Sequence, residues 1–521
     1  MELRSFSTLD IPLAWRRVRT WAQGLGMDIP DRLPFEVLDR LHGDTGPSIR
    51  THIEVRPGVV VIASKKSGTF RPFVRLDPMD LIVYQALVDA LGPAIETTLP
   101  PREFVGAYRQ ALSSDDDAFA GNASNDEFRA GVSEAIERAG EAYVLQTDIS
   151  GYFLGIRPGT LKSQLLEVSD RADVVGDLAQ MLGRWQDLGI RGLPQGVRPS
   201  SPLGNVYLAS LDRLLGSMSV PFFRWMDDMW AICDSFGAAR RVQDHIERHL
   251  YGMALTLNGE KTRILRAETA IRRLKPARER FEQKKQAAMD AGTVTITWGD
   301  YEEEEILPDP DEIDRELTLE EFDRLMSDLE AEDLPSAFSA DMGLVFRKLE
   351  AIGDAQAVVF VPDILRRVPD IVDTAMRYVA AVARTNREAA TSVFAEVLHA
   401  DRSSRDFEKL ATCNRALSLP SGDGRTLASV LGGIALNDAN PLIRAKALVA
   451  WGKHSAINDI SVVEAFLRSS DPGWRMYAFV ALQEKARVVR DNAYDRWGGA
   501  SPGLKQIADL LRGSPIRWSK L

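Results

Sequence analysis

The spacing of apolar and polar positions predicts two kinds of structure along the chain. Before about residue 266, short apolar, β-branched segments alternate with amphipathic helical segments, as in an α+β domain. From about Ser336 onward, helical periodicity continues without strand signals. We therefore predict four parts: an N-terminal helical segment 1–50, an α+β domain 51–266, a connecting region 267–335, and an all-helical domain 336–521.

Two β-hairpins are predicted within the α+β domain. The first has strands at Val55–Ala63 and Thr69–Leu76 around a polar turn, and the second has the residue pair Asp227-Asp228 at its tip. The other predicted strands of the domain are Ala142–Ile149, Pro221–Met226, Met229–Cys233 and Ala254–Leu257. The predicted helices are Pro78–Leu91, Pro158–Glu167, Asp173–Asp187, Leu203–Leu215 and Ala238–Leu250, followed by a basic helical stretch, 263–285, on either side of Pro276.

The helical domain contains an internal repeat. Asn440–Trp451 and Asp471–Leu482 align at an offset of 31 residues, each with an Asx-Pro helix start and a face of small residues. Such units stack on their neighbours in HEAT-like solenoids. An ordinary helical bundle is the alternative.

Charge is distributed unevenly along the sequence. The formal net charge is −11, but 17 acidic and two basic residues lie between Asp300 and Asp333, so the other 487 residues carry +4. The low overall pI therefore does not exclude a nucleic-acid partner. We interpret the acidic segment as a solvated linker with a short helix at Thr318–Leu329. The alternative is that it competes with nucleic acid for the basic stretch 263–285.

The sequence contains few signals that indicate the cellular compartment of the protein. The two cysteines, Cys233 and Cys413, form no CxxC pair, which excludes a cysteine-rich zinc site and fits a reducing environment. The first residues contain no apolar signal sequence, and no run of 18 apolar residues occurs. We expect a cytoplasmic protein without a membrane partner.

Three carboxylates are the strongest chemical signal. Asp148 ends an apolar strand, and Asp227 and Asp228 stand together between two apolar strands. Adjacent carboxylates repel each other and are depleted in strands, unless a cation lies between them. Hard divalent ions such as Mg²⁺ take oxygen ligands, and two such ions can hold the attacking and leaving oxygens of a phosphoryl transfer. The alternative is a plain hairpin turn.

Taken with two further motifs, these residues resemble the reverse transcriptases over about residues 55–266. Asp148-Ile-Ser-Gly-Tyr-Phe is similar to the first palm motif of that family, and Trp225-Met-Asp-Asp stands where the family has an aromatic-x-Asp-Asp. The segment from Gly192 to Asn205 resembles the family's Pro-Gln-Gly…Ser-Pro…Asn motif. Leu257-Asn-Gly-Glu-Lys-Thr is similar to the motif that follows. The fold implied is a right-hand polymerase fingers and palm, followed here by the HEAT-like domain.

The resemblance implies a catalytic role for four residues. Asp148 and Asp227 would ligate two Mg²⁺ ions, with Mn²⁺ as the alternative ion, and Asp228 would support them as a third carboxylate. Lys261 would protonate the pyrophosphate leaving group.

The resemblance also implies where a nucleotide binds. Lys65, Lys66 and Arg71 on the first hairpin would pair with the triphosphate. Gln195 and Gly196 would line the nucleotide pocket. A solvated basic turn is the alternative for the three cations.

Phe153 matches the aromatic residue that blocks a ribose 2′-hydroxyl in the family, so the expected substrates are dNTPs and the expected product is DNA. A plain core aromatic is the alternative. Trp225 departs from the usual Tyr or Phe and keeps an aromatic plane without a hydroxyl.

The sequence after residue 266 indicates which subgroup of the reverse transcriptases the chain resembles. We find no clear thumb signature, RNase H carboxylate set or endonuclease motif, and the helical domain is similar to that of abortive-infection and other defence-associated bacterial reverse transcriptases. That subgroup implies anti-phage defence, homo-oligomers, and in some members synthesis primed from a protein hydroxyl without a template. Tyr301, Tyr477 and Tyr494 are candidate hydroxyls, although packing is the better interpretation of each. The alternatives are an RNA-templated enzyme of a mobile element or retron-like system, and a non-catalytic nucleic-acid-binding scaffold.

Overall fold

The structure is a computed structural model that describes residues 1–23, 31–65, 69–111, 115–119, 124–292, 294–298, 302–306, 309–335, 337–399, 405–420 and 425–518. The chain forms two compact units. The first comprises Met1–Val60 and Phe73–Lys275, and the second comprises Val61–Pro72 and Pro276–Leu521. Among the described residues, no helix is both long enough and apolar enough to cross a bilayer.

The first unit combines helices with a four-stranded sheet. Its helices are α1 (Ile11–Gln23), α2 (Leu33–His42), α3 (Pro78–Thr98), α4 (Asn125–Ala139), α5 (Tyr152–Gly155), α6 (Pro158–Val168), α7 (Ala172–Asp187), α8 (Ser200–Tyr207), α9 (Ala209–Ser217), α10 (Phe236–Gly252) and α11 (Ala267–Leu274). Strands β1 (Val59–Ser64) and β2 (Phe70–Arg75) form the first hairpin, which belongs partly to each unit; the sheet strands are β3 (Tyr143–Thr147), β4 (Phe222–Trp225), β5 (Asp228–Cys233) and β6 (Arg263–Arg266).

The sheet has the order β4-β5-β3-β6, with all neighbours antiparallel. Alternate residues of β5 enter different cores, because successive side chains of a strand point to opposite faces. Met229 and Ala231 join the large core built around the buried helix α3, whereas Trp230 and Ile232 join a smaller core formed with α4 and α11. Both faces of the sheet are therefore covered.

Three sequence predictions in this unit are wrong. No strand forms at Ala254–Leu257, because Ala254 has φ +58°, which an extended strand does not allow, and Leu257 makes only an isolated bridge. The fourth strand is β6, in the stretch predicted as helical; it is a polar edge strand with Arg263 and Arg266 exposed. The single helix predicted at Leu203–Leu215 is two helices, α8 and α9.

The second unit is mostly helical. Its helices are α12 (Ala277–Gly292), α13 (Pro310–Leu329), α14 (Phe338–Ile352), α15 (Val361–Arg367), α16 (Val372–Val382), α17 (Arg387–Leu398), α18 (Asp406–Ala416), α19 (Arg425–Asn437), α20 (Pro441–His454), α21 (Ser461–Ser469), α22 (Arg475–Ala481), α23 (Arg487–Gly498) and α24 (Pro502–Gly513), and its further strands are β7 (Val294–Trp298) and β8 (Glu302–Ile306).

Alternate helices of this unit pack on one another. Helices α14, α16, α18, α20, α22 and α24 make one continuous row of contacts, and α17, α19 and α21 make a second. This is the nearest-neighbour stacking that repeat sequences produce. The two aligned sequence repeats begin α20 and, through a 3₁₀ turn at Pro472–Trp474, α22.

The acidic segment is more structured than the predicted solvated linker. It contains strand β8 and the 20-residue helix α13, which buries Phe322, Leu325 and Leu329. Its carboxylates pair with the basic stretch and with α14: Glu321 lies 2.7 Å from Lys284, and Asp314 lies 2.7 Å from Lys348 and 3.4 Å from Lys285. The acidic helix is therefore held by packing and ion pairs.

Helix α18 holds the first hairpin within the second unit. Arg405 Nη1 donates to Ser64 Oγ and to Thr69 O, each at 3.0 Å. Ser64 Oγ donates to Glu408 Oε1 at 2.8 Å, and Ile62 N donates to Asp406 Oδ2 at 3.3 Å. The start of α18 thus bonds β1 and Thr69, the residue that directly precedes β2. Asn440, which caps α20, also donates to Asp406 Oδ2, at 2.9 Å.

Candidate active site

Asp148 lies directly after β3 and is 4% exposed. Its peptide oxygen accepts a hydrogen bond from Asn258 N at 2.7 Å, and Lys261 Nζ donates to its carboxylate oxygen Oδ2. Thr147 and Thr262 hydroxyls meet at 2.7 Å beside this contact. The first and the last of the four motifs are therefore joined at Asp148.

Asp227 occupies the two-residue turn between β4 and β5, where Trp225 pairs with Asp228. The preceding residue, Met226, has φ +55°, a backbone conformation that favours glycine. Because Thr147 at the end of β3 pairs with Met229, the antiparallel register brings Asp148 beside the Asp pair.

The negative charges of the other two carboxylates act on Asp227. Burial, and then the negative charges of Asp148 and Asp228, raise the pKa of Asp227 to about 7. Burial lowers the pKa of the Lys261 ammonium, but its hydrogen bond to Asp148 and the surrounding carboxylates outweigh burial, so that pKa lies above its ordinary value. Lys261 is accordingly protonated at neutral pH.

The Gly192–Ser200 loop is tied to both neighbouring motifs. Leu193 N donates to Phe153 O at 2.9 Å, and a Cβ at Gly192 would lie 2.0 Å from that same oxygen. Gly192 also has φ +63°, so the close approach and the backbone both require glycine. Gln195 O accepts from Val74 N at 2.8 Å, which places the loop against the end of β2 in the first unit.

Because Gly204 on α8 has no side chain, three other side chains pack together beside the Asp227 turn. A Cβ there would lie 2.9 Å from Met226, 3.3 Å from Tyr152 and 3.5 Å from Phe153. The Tyr152 hydroxyl donates to Gly204 O. Phe153 is half-buried against Tyr152, with ring centroids 5.4 Å apart. All four motifs therefore meet in the first unit.

A buried ion pair supports the turn that carries Asp227. The Arg224 guanidinium donates to both carboxylate oxygens of Asp212, at 2.8 and 2.6 Å, and both side chains are fully buried. It also donates to Met226 O and to Asn205 Oδ1, each at 2.9 Å. Sequence reasoning missed this pair, although a lone charge inside an apolar strand requires a buried partner.

The donor set fits a hard divalent cation. Asp148 Oδ1 is buried and has no hydrogen-bond partner, and an unsatisfied buried carboxylate oxygen beside two further carboxylates is stabilised by a cation. Within the described parts of the chain, no group of three His, Cys, Asp or Glu side chains is already arranged to hold a metal ion. In this structure Lys261 binds the other oxygen of Asp148.

The remaining predicted residues stand as follows. Gly196 has φ +88° and lies with Gln195 on the loop described above. Lys65 and Arg71 lie on the first hairpin in the second unit, so their role toward a nucleotide stays a prediction, and Lys66 lies outside the described residues. The roles of Asp148, Asp227 and Asp228 as metal ligands also stay predictions.

Two of the three candidate priming hydroxyls, those of Tyr477 and Tyr494, are not accessible. Tyr477 is fully buried, and Tyr494 is 1% exposed with its hydroxyl donating to Phe479 O at 2.9 Å. Packing therefore accounts for both, and Tyr301 lies outside the described residues.

No protein-family model matches the chain, and no curated protein is similar to it in sequence. Among solved structures, it is similar to telomerase from Candida albicans in complex with a fragment of telomeric RNA, with 13% identity and a TM-score of 0.29. That match covers 66% of this chain and 62% of the telomerase chain, so the chain spans less than two thirds of that relative's length.

It is also similar to apo telomerase from Candida tropicalis, with 10% identity and a TM-score of 0.31. This match covers 89% of the chain and 69% of the telomerase chain. Since both TM-scores are below 0.5, the function proposed below depends on the geometry of the site and on its motifs.

Proposed function

We propose that the chain is a Mg²⁺-dependent DNA polymerase of the reverse-transcriptase type. Three of the four sequence motifs meet at one buried carboxylate, Asp148, and the fourth packs against Phe153 and Met226; this observation carries the proposal. Asn258 bonds the peptide oxygen of Asp148, Lys261 bonds its side chain, and the register of β3 with β5 brings the Asp227 turn beside it. A plain hairpin turn does not require this arrangement.

Each residue of the site has a task in the proposed nucleotidyl transfer. Asp148 and Asp227 would hold the metal ions, which when bound stabilise the charge that develops on the transferred phosphoryl group. Lys261, protonated at neutral pH, is suited to donate a proton to the departing pyrophosphate. Arg224 orients the turn, and Gly204 admits Phe153 to its position beside Met226.

The proposed biological role is anti-phage defence by a homo-oligomer. It is supported by the resemblance to the defence-associated enzymes and by the stacked helical unit. Synthesis would start from a nucleic-acid primer or a protein hydroxyl, with or without an RNA template.

The direct test is DNA synthesis by the purified protein. With dNTPs and Mg²⁺ we expect DNA product, and chelation by EDTA should stop its formation.

Sequencing the nucleic acid that co-purifies with the protein separates the remaining alternatives. A copy of one structured RNA would favour a mobile-element or retron-like enzyme. Failure to make DNA with any primer or template, despite nucleic-acid binding, would favour a scaffold and contradict the proposal.

Substitution of Phe153 tests sugar selection. Because the half-buried Phe153 ring would exclude a 2′-hydroxyl, Phe153→Ala should raise the relative rate of rNTP incorporation by about tenfold or more, with dNTP incorporation retained. The measurement is the ratio of kcat/KM for dGTP and GTP. Phe236→Ala is the control, since that ring is 50% exposed on α10 and lies outside the four motifs. An unchanged ratio in Phe153→Ala would show that Phe153 is not the gate.

A further inference from the structure

The segment Val105–Gln110 runs beside β4, the strand that leads to Asp227. Arg224 N donates to Phe104 O at 2.7 Å, and Gly106 N donates to Arg224 O at 3.2 Å. Val105 and Arg224 form a parallel bridge. The segment is therefore fixed to the sheet by backbone hydrogen bonds, immediately before the Asp227 turn.

Tyr108 is the exposed residue of an otherwise buried stretch. Ala107, Arg109 and Gln110 are at most 5% exposed, whereas Tyr108 is 40% exposed. Arg109 donates to Glu96 and to two peptide oxygens, so the backbone on the C-terminal side of Tyr108 is held firmly. The Tyr108 ring consequently projects from a rigid support.

The backbone at Tyr108 is strained. Its φ is +52°, in the left-handed region that bulky residues rarely adopt. Such conformations persist only where the surroundings impose them, and they concentrate at functional sites. Gly or Asn would adopt this φ with less strain, so a ring at this position has a reason other than backbone preference.

Aromatic rings connect Tyr108 with the active site. Its ring centroid lies 6.2 Å from that of Trp225, two residues before Asp227, and 5.4 Å from that of Phe119. Trp225 in turn packs on Phe128 at 5.2 Å. The Arg198 guanidinium lies 5.2 Å from the centroid of the Phe119 ring. We call the rings of Tyr108, Phe119 and Trp225 the aromatic row.

We propose that the aromatic row is a stacking platform for a base of the single-stranded nucleic acid that enters the active site, with Tyr108 as its exposed face. The inference rests on the proposed polymerase function and adds a positioning residue to it. Aromatic rings stack on any base, so the platform holds a strand without selecting its sequence.

Asp116 and Asp117, which precede Phe119 in the sequence, are both paired with arginines. Arg198 is paired with Asp117 at 2.5 Å, and Asp116 is paired with Arg16 at 2.8 Å. Tyr108 carries no charge, so its loss should weaken binding without changing the dependence of binding on salt. This distinguishes Tyr108 from a residue that contacts phosphate.

The test is equilibrium binding of an oligonucleotide with 2-aminopurine at its 3′ end, in the absence of dNTPs. We expect the wild-type protein to quench 2-aminopurine fluorescence. Tyr108→Asn, which suits the left-handed backbone, should remove the quenching and weaken binding about tenfold, with an unchanged melting temperature and salt dependence. Tyr108→Phe should behave as the wild type. Tyr251→Asn, at an 82% exposed tyrosine on α10, is the matched control and should change neither quantity.

The results of this binding test bear on the stacking platform independently of the proposed polymerase function. Wild-type quenching and affinity in Tyr108→Asn would overturn the platform, even if DNA synthesis is observed. A weaker Tyr108→Asn complex with the quenching intact would assign Tyr108 to another contact and also overturn the proposal. DNA synthesis is assayed separately, so its absence contradicts the polymerase and not the binding result.

Discussion

Replacing Asp227 with asparagine is expected to reduce DNA synthesis by about 10³-fold or more. Asparagine keeps the shape of the side chain but removes the charge that a metal ion requires. Loss of a metal ligand removes several kcal/mol of transition-state stabilisation, and each 1.36 kcal/mol is a factor of ten in rate. The measurement is kcat for dNTP incorporation at saturating Mg²⁺.

Asp234→Asn is the matched control, because Asp234 is exposed at the end of β5 and lies outside the four motifs. It should keep the wild-type rate. Melting temperature should be unchanged or raised in Asp227→Asn, since the substitution relieves repulsion from Asp148 and Asp228. Synthesis within tenfold of wild type in a folded Asp227→Asn protein would show that Asp227 is not a catalytic ligand.

Replacing Arg224 with methionine is expected to lower the free energy of unfolding of the first unit by about 3–5 kcal/mol. The substitution leaves the fully buried Asp212 carboxylate without its partner, and an uncompensated buried charge is strongly destabilising. It also removes the hydrogen bond to Met226 O, so the Asp227 turn loses a support. Hydrogen exchange of the amides that pair β4 with β5 measures the effect locally.

Two further variants test whether Arg224 only balances the charge of Asp212 or also positions the Asp227 turn. Arg213→Met, at an exposed arginine next to Asp212 in sequence, should leave the exchange rates unchanged. The double variant Arg224→Met/Asp212→Leu removes both charges and should recover much of the stability, because an apolar pair can replace a buried ion pair. Its activity should stay low, since Met226 O is still unsupported. Equal recovery of stability and activity would mean that Arg224 only balances Asp212.

Much of the fold could be predicted because the signals are local. Asp77-Pro78 and Asn440-Pro441 were predicted to begin helices, and both Asx side chains accept a hydrogen bond from the backbone N–H two residues later, at 2.9 and 3.0 Å. The two hairpins follow from β-branched and apolar segments around polar turns. Strand β6 could not be predicted, because its Arg-rich edge sequence lacks the alternation that marks a half-buried strand.

The candidate site could be predicted as a set of residue types, but its supports could not. Asp148, Asp227 and Lys261 stood out by their motifs. The importance of Gly192 depends on a close approach to Phe153 O, and the role of Arg224 depends on Asp212 and Met226 O. These are tertiary contacts between segments that are distant in sequence or that meet only after the sheet forms, so no local pattern records them.

The bonds between the first hairpin and α18 bear on how the protein is made. Ile62 and Asp406 are 344 positions apart, so at 5–20 residues per second the ribosome needs roughly 20–70 seconds to deliver α18 after the hairpin. A two-stranded hairpin alone is marginally stable in water. The ribosome therefore makes residues 61–72 of the second unit early and the rest of that unit late. A fragment that ends near Lys275 contains residues 61–72 but lacks α18, the helix that binds them.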